Sequence, residues 1–229
     1  MKKSLKDNNY SALIGLLFLM LMLGGCATMK PPALSHDVKK LDVSEESIAL
    51  ITVKIANKYK TSYQPNIKYV FIWEDKNENR KKYSFDVGEK HNEVENEFNE
   101  YLISFQLPPG KYKLREFFAQ RGKFPVIGTF SLPIYTSFSI EPNKIIYLGN
   151  IDAYIKERTS DDELRAGPVI PLIDQAVTGA SGGTFVIEIT DHFNNDIAKF
   201  KQKYHQITGY DIINSTLPPW KKPTKEDMQ

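Results

Sequence analysis

The chain has 229 residues, with 30 Lys plus Arg against 28 Asp plus Glu, 25% charged and 41% hydrophobic side chains, and one cysteine. That length suits one domain of ordinary size, and a charged fraction at the globular average excludes wholesale disorder. A net charge of +2 argues against a nucleic-acid protein built on a basic excess, and one cysteine excludes an intramolecular disulfide and multi-cysteine zinc or iron–sulfur centres.

Residues 1–10 carry Lys2, Lys3 and Lys6 against Asp7; the apolar run Ala12–Leu23 follows, and then Gly24-Gly25-Cys26. A basic start, an apolar stretch of about a dozen residues and small residues before a cleavage point make residues 1–25 a secretory signal peptide. The run falls short of the roughly 20 residues that a membrane span needs. Leu23-Gly24-Gly25-Cys26 resembles the lipobox of bacterial lipoproteins. The resemblance implies that Leu23, Gly24 and Gly25 are recognised by the signal peptidase. It also implies that Cys26 carries a diacylglycerol thioether, becomes the mature N-terminus and is often N-acylated, for example with palmitate. Two or three acyl chains anchor stably where one holds marginally, so the expected product is tethered to the membrane without spanning it. Ala27 stands where an aspartate commonly accompanies inner-membrane retention in such lipoproteins, which implies the outer membrane, on its periplasmic or surface face. Cleavage removes three lysines and one aspartate, leaving 27 basic and 27 acidic side chains.

Residues 26–46, with Pro31-Pro32 and no sustained apolar periodicity, read as the lipidated N-terminus and a flexible tether. The folded domain is expected over 47–216. Strands are predicted at Ser47–Ala56, with Ile51, Val53 and Ile55 on one face, and at Ile67–Glu74, Lys82–Val87 and Tyr101–Leu107, the last with Ile103, Phe105 and Leu107 facing in. Pro108-Pro109-Gly110 reads as a tight connection from there to an antiparallel strand beginning at Lys111. Further strands are expected at Val126–Leu132, Thr136–Ile140, Lys144–Ile155 and Thr184–Thr190, separated in part by Pro133 and Glu141-Pro142-Asn143. About nine strands with short turns point to a mainly β protein, an antiparallel sandwich of the immunoglobulin-like or transthyretin-like kind. One amphipathic C-terminal helix is expected near 192–206, with Phe193, Ile197, Phe200 and Tyr204 on one stripe, read as core packing. Thr190 or Asp191 would cap its start. Residues 217–229, rich in proline and lysine, read as a loose tail.

The motif Phe105-Gln106-Leu107-Pro108-Pro109-Gly110-Lys111-Tyr112-Lys113-Leu114 resembles the strand–PPG–strand turn of transthyretin-like and carboxypeptidase-regulatory-like sandwich domains. Phe138–Gly149 is similar to the edge that follows in uncharacterised envelope lipoproteins of this build, so that the resemblance covers residues 47–155. It implies a fold and a compartment and no shared activity.

Chemistry-bearing patterns are sparse. His36, His91, His192 and His205 lack the one-turn spacing that brings metal ligands together, and no metal or cofactor is expected. Gly-x-Ser-x-Gly does not occur, and the lone thiol is assigned to lipid. Gly179-Ala180-Ser181-Gly182-Gly183-Thr184 precedes a strand and lacks the phosphate-loop lysine, so a turn is the plainer account. Asp161-Asp162-Glu163 reads as a solvated acidic turn. Arg80-Lys81-Lys82 and Lys111–Arg115 read as separate clusters of edge cations that discourage sheet-to-sheet association. The sequence therefore leads to a non-catalytic envelope lipoprotein with a protein partner and no nucleic acid. The alternatives are an accessory of a secretion apparatus, or a hydrolase using carboxylates such as Glu74 with Asp75, or Asp152 with Asp191.

Overall fold

Alternating apolar side chains rich in β-branched residues favour extended chain, and this pattern dominates the sequence. The computed structural model describes residues 29–37, 40–76, 80–123, 126–169 and 175–228. The signal segment, Leu23-Gly24-Gly25-Cys26 and Ala27 lie outside the described residues. The strands are β1 (Ser47–Asn57), β2 (Asn66–Glu74), β3 (Lys82–Asp86), β4 (Asn92–Val94), β5 (Phe98–Leu107), β6 (Gly110–Lys123), β7 (Val126–Ile140), β8 (Ile145–Glu157), β9 (Gly183–Thr190) and β10 (Ile212–Asn214). The helix α1 spans Phe193–Lys203 and is followed by a 3-10 turn, His205–Ile207.

The larger sheet runs β10-β8-β1-β5-β4, with β9 also on β8; the smaller runs β3-β2-β6-β7. The protein is thus mainly β, with two sheets and one helix. Ile51, Val53 and Ile55 of β1 and Ile103, Phe105 and Leu107 of β5 meet Val70, Ile72, Leu114 and Phe117 of the smaller sheet in a shared core. On its other face the larger sheet presents Ile48, Leu50, Leu102 and Tyr147 to Ile197 and Phe200 of α1 and to Tyr204, its C-cap. This is why β1 is buried on both faces. The predicted helical stripe is that packing face, Phe193 included.

Three local expectations are corrected. The larger sheet is mixed rather than antiparallel: β1 pairs β8 in parallel, as does β10. Alternation reports which side chains are buried and is blind to strand direction. Pro108-Pro109 does not close a hairpin, since β5 belongs to the larger sheet and β6 to the smaller. The connection carries the chain across the sandwich, and the Tyr112 hydroxyl donates to the Pro108 carbonyl at 2.7 Å. Pro133 does not divide two strands but sits inside β7, beside a bulge of that strand in which Ile134 and Tyr135 face the single residue Arg115 of β6, Tyr135 taking φ +50°. β7 is a sheet edge, where a missing N–H costs no ladder bond.

One glycine is required by this topology. Register shifts so that Leu50–Thr52 of β1 faces Tyr147–Asn150 of β8, and Gly149 takes φ +114° within the bulge. At that point the other edge of β8 changes partner, from β10 along Ile145–Tyr147 to β9 along Asn150–Glu157.

Both terminal segments are also corrected. From Met29 onward the expected tether joins the fold: Leu34 and Leu41 are buried against the outer face of the larger sheet. Residues 217–228 do not hang loose. The Leu217 N–H donates to the Leu148 carbonyl at 2.9 Å, its side chain enters the main core, and the Trp220 indole N–H donates to the Pro133 carbonyl at 2.8 Å. This segment straps the β8 edge of one sheet to the β7 edge of the other. Trp220→Ala is expected to cost about 1–2 kcal/mol, below the 3–5 of a fully buried tryptophan because the ring is only part-buried. Trp220→Phe, which keeps ring packing and loses the hydrogen bond, should recover about half of that in urea unfolding.

Candidate functional site: cations around an aromatic strip

On β2, Val70 and Ile72 point into the core while Tyr69, Phe71 and Trp73 point outward. The pairing of β2 with β3 and β6 sets Trp73 opposite both Lys82 and Lys113. The outward aromatics contact one another: Tyr69 stacks on Phe118 with 6.1 Å between centroids, and Tyr69 lies 6.5 Å from Phe71. At the end of this strip, Arg115, Arg80 and Lys82 approach the Trp73 ring centroid at 4.4, 4.9 and 5.2 Å. Their cover leaves the indole only 6% exposed, and each contact contributes about 0.5–1 kcal/mol at such a surface.

The charges here are unevenly balanced. Arg115 has the Glu116 carboxylate at 3.4 Å and its Nε donates to the Tyr135 hydroxyl at 3.2 Å. Lys113 pairs with Asp227 at 3.4 Å and Lys76 with Glu74 at 2.9 Å. The Lys76 contact, helped by the Tyr83 hydroxyl, holds the Glu74 carboxyl below its ordinary pKa. Among the described residues, Arg80, Lys81, Lys82 and Lys111 make no ion pair with a carboxylate within 4.0 Å. Lys111 joins the group because its carbonyl accepts from the Asp75 N–H at 2.9 Å. The two basic clusters that the sequence separates are therefore one surface, assembled by the β2–β6 pairing.

The other sequence candidates separate. Glu74 is committed to Lys76 and Tyr83, while the neighbouring Asp75 is exposed. Asp152 lies opposite Glu188, three positions and so about 10 Å along the ladder from Asp191. The Asp191 carboxylate accepts from the Phe193 N–H at 2.9 Å and the Asn214 amide at 2.7 Å, which lowers its pKa. It serves the first turn of α1 from one residue outside the His192 cap. His36 packs on Tyr204, and burial lowers the pKa of His91. Among the described residues, no three His, Cys, Asp or Glu side chains cluster as a metal site.

The remaining loop candidates have structural partners. The glycine-rich turn packs between the sheets: Thr178 and Ala180 are buried, and the Asn57 amide donates to the Thr178 carbonyl at 2.9 Å. Glu163 is tied to Lys156 at 2.6 Å and to the Thr159 N–H at 2.7 Å, which lowers its pKa to about 2. Its stabilisation of the turn is fully present above the ordinary carboxylate pKa and is lost as pH falls through about 2. Two of the surface grooves among the described residues are lined by aromatic side chains. One of about 330 Å³ lies along β9, with Phe185, Ile187, Leu164 and Trp220; the other, of about 370 Å³, holds Lys54, Phe98, Lys58 and Tyr154.

Among the described residues, no helix is long and apolar enough to cross a membrane. No family model matches the chain, and no curated protein matches it. A leucine-rich repeat protein from Bacteroides thetaiotaomicron is structurally similar over 48% of this chain and 14% of that one, at 18% identity and a TM-score of 0.28.

Proposed function

We propose that this protein is a lipid-anchored component of a bacterial cell envelope, acting as a non-catalytic binding or structural module. The observation that carries the reading is Leu23-Gly24-Gly25-Cys26 directly behind a basic start and a short apolar run. In this reading residues 1–25 are cleaved, Cys26 bears diacylglycerol, and the β domain is displayed at the membrane. Ala27 after the cysteine favours the outer membrane. The immunoglobulin-like or transthyretin-like type of the sandwich rests on the resemblance of the motifs Phe105–Leu114 and Phe138–Gly149. A binding role draws support from the cation and aromatic surface around Trp73 and from the groove between β9 and Trp220, which offers an envelope protein an apolar floor beside a sheet edge.

Cys26→Ala tests the anchor. Metabolic labelling with a fatty-acid probe should disappear, and the protein should move from the membrane to the soluble fraction or persist as uncleaved precursor. Continued labelling and unchanged membrane recovery would overturn the reading.

A further inference from the structure

The way the chain enters the fold decides how the domain stands relative to its anchor. Lys30 pairs with Phe85 in parallel: its N–H donates to the Ser84 carbonyl and its carbonyl accepts from the Asp86 N–H, both at 2.9 Å. In this parallel bridge the chain runs in the same direction as β3, so that Met29 lies on the Lys82 side of Lys30 and Pro31 on the Asp86 side. Cys26 is four residues upstream of Lys30. Four residues span at most about 14 Å, while Phe85 to Lys82 along β3 already covers about 10 Å. Cys26 therefore lies within about 14 Å of Lys30, and the described chain enters the bridge from the side of the sheet end that carries Arg80, Lys81, Lys82 and Lys111.

We propose that this end of the sheet lies against anionic headgroups of the bilayer that holds Cys26, so that the domain stands on the membrane in one orientation with α1 turned away. The inference rests on the lipid-anchor reading and adds the contact surface and the lipid chemistry to it. Three observations converge. The four cations have no carboxylate partner among the described residues, whereas the nearby Lys76 and Lys113 are paired. The chain enters beside them through a link too short to let the domain tumble far. Lys30 itself is held in place by Glu46 at 3.4 Å and lies 5.4 Å from the Tyr83 ring centroid, so the entry point is built into the fold. Acyl chains supply attachment without orientation; a basic end beside the anchor supplies orientation. An anionic surface also provides the counter-charge that neighbouring side chains do not.

The test uses the full, lipidated chain purified in detergent and reconstituted into phosphatidylcholine vesicles with or without about one-third phosphatidylglycerol. Ser139→Cys, exposed on β7 opposite Lys111, places a thiol at the proposed contact without changing its charge, and Ala198→Cys places one on the exposed face of α1. Each variant is labelled with an environment-sensitive thiol dye, Cys26 being blocked by its thioether. Headgroup-bound quencher should quench the dye at position 139 and spare it at 198 in anionic vesicles. The contrast should vanish in neutral vesicles and shrink at about 1 M salt, where the screening length is near 3 Å. Arg80→Gln, Lys81→Gln, Lys82→Gln and Lys111→Gln should each reduce the contact population about fivefold. Equal quenching at the two positions in floated anionic vesicles, or a contrast indifferent to lipid charge, overturns this inference and leaves the anchor standing. Failure to float, with Cys26 of the unsubstituted chain open to thiol dye, overturns both.

Discussion

Asp196→Ala is expected to destabilise the protein by about 3–5 kcal/mol, the cost of breaking a buried charged network by removing one member. Asp196 lies in the first turn of α1 and is fully buried, where the helix dipole favours its negative charge. Its Oδ2 accepts from the Tyr147 hydroxyl at 2.6 Å and the Asn150 amide at 3.2 Å, both on β8. Its Oδ1 has no hydrogen-bond partner, and Lys199 stands 3.7 Å away while bonding Glu100 of β5 at 2.7 Å. Asp196 thus registers the helix on β8, and Lys199 beside it on β5. Burial and the Asp196 charge both push the Tyr147 phenol up, keeping it a donor. Alanine would strand two buried donors at about 1–3 kcal/mol each. Asp196→Asn, which preserves an acceptor and the shape, should cost less than half as much. Urea unfolding checks this through the midpoint at constant slope. A midpoint for Asp196→Ala that matches the unsubstituted protein would mean that the network is not what docks the helix.

Leu34→Ala is expected to cost about 2–4 kcal/mol, as for a leucine truncated in a core. Leu34 is 1% exposed, and its N–H donates to the Ser104 hydroxyl at 2.8 Å. The segment is pinned again where the Gln206 amide donates to the Ser35 carbonyl at 2.8 Å and the Gln106 amide to the Asp42 carbonyl at 2.7 Å. The start of the described chain, a central strand and the turn after α1 therefore form one cooperative layer. Met29→Ala is the control, since that side chain is 41% exposed and should change stability by no more than about 0.5 kcal/mol. Were the segment a free tether, the two substitutions would be indistinguishable by thermal unfolding. A packed segment also carries the orientation inference, because only a fixed entry at Lys30 ties the anchor to one end of the sheet.

What the sequence made legible followed from short-range periodicity. Phe193, Ile197, Phe200 and Tyr204 recur at helical spacing, and all four face the larger sheet. Ile51, Val53 and Ile55 alternate, and all three face the smaller one. Neither pattern needs knowledge of a partner. The edge strands β4 and β10, with three residues each, passed unnoticed because so short a run shows no period. Leu34 and Leu217 are single apolar residues among prolines and polar side chains, and nothing local separates a lone core residue from an incidental one. The surface around Trp73 was half visible: both basic clusters could be read, but their union depends on β2 pairing with β6 some forty residues later.

By itself the sequence determined most of the longer strands, the side chains that each turns inward, the helix and its packing face, and the expectation of a lipidated Cys26. The tertiary structure decided that β1 and β8 run parallel, that Pro108-Pro109 crosses between sheets, that both end segments belong to the fold, and that Arg80, Lys82 and Arg115 gather on one indole. The division has one physical cause. Secondary structure and burial faces follow from interactions within a few residues. Strand partners, strand direction and surface charge clusters follow from contacts between distant segments, whose energy exists only once the chain has closed upon itself.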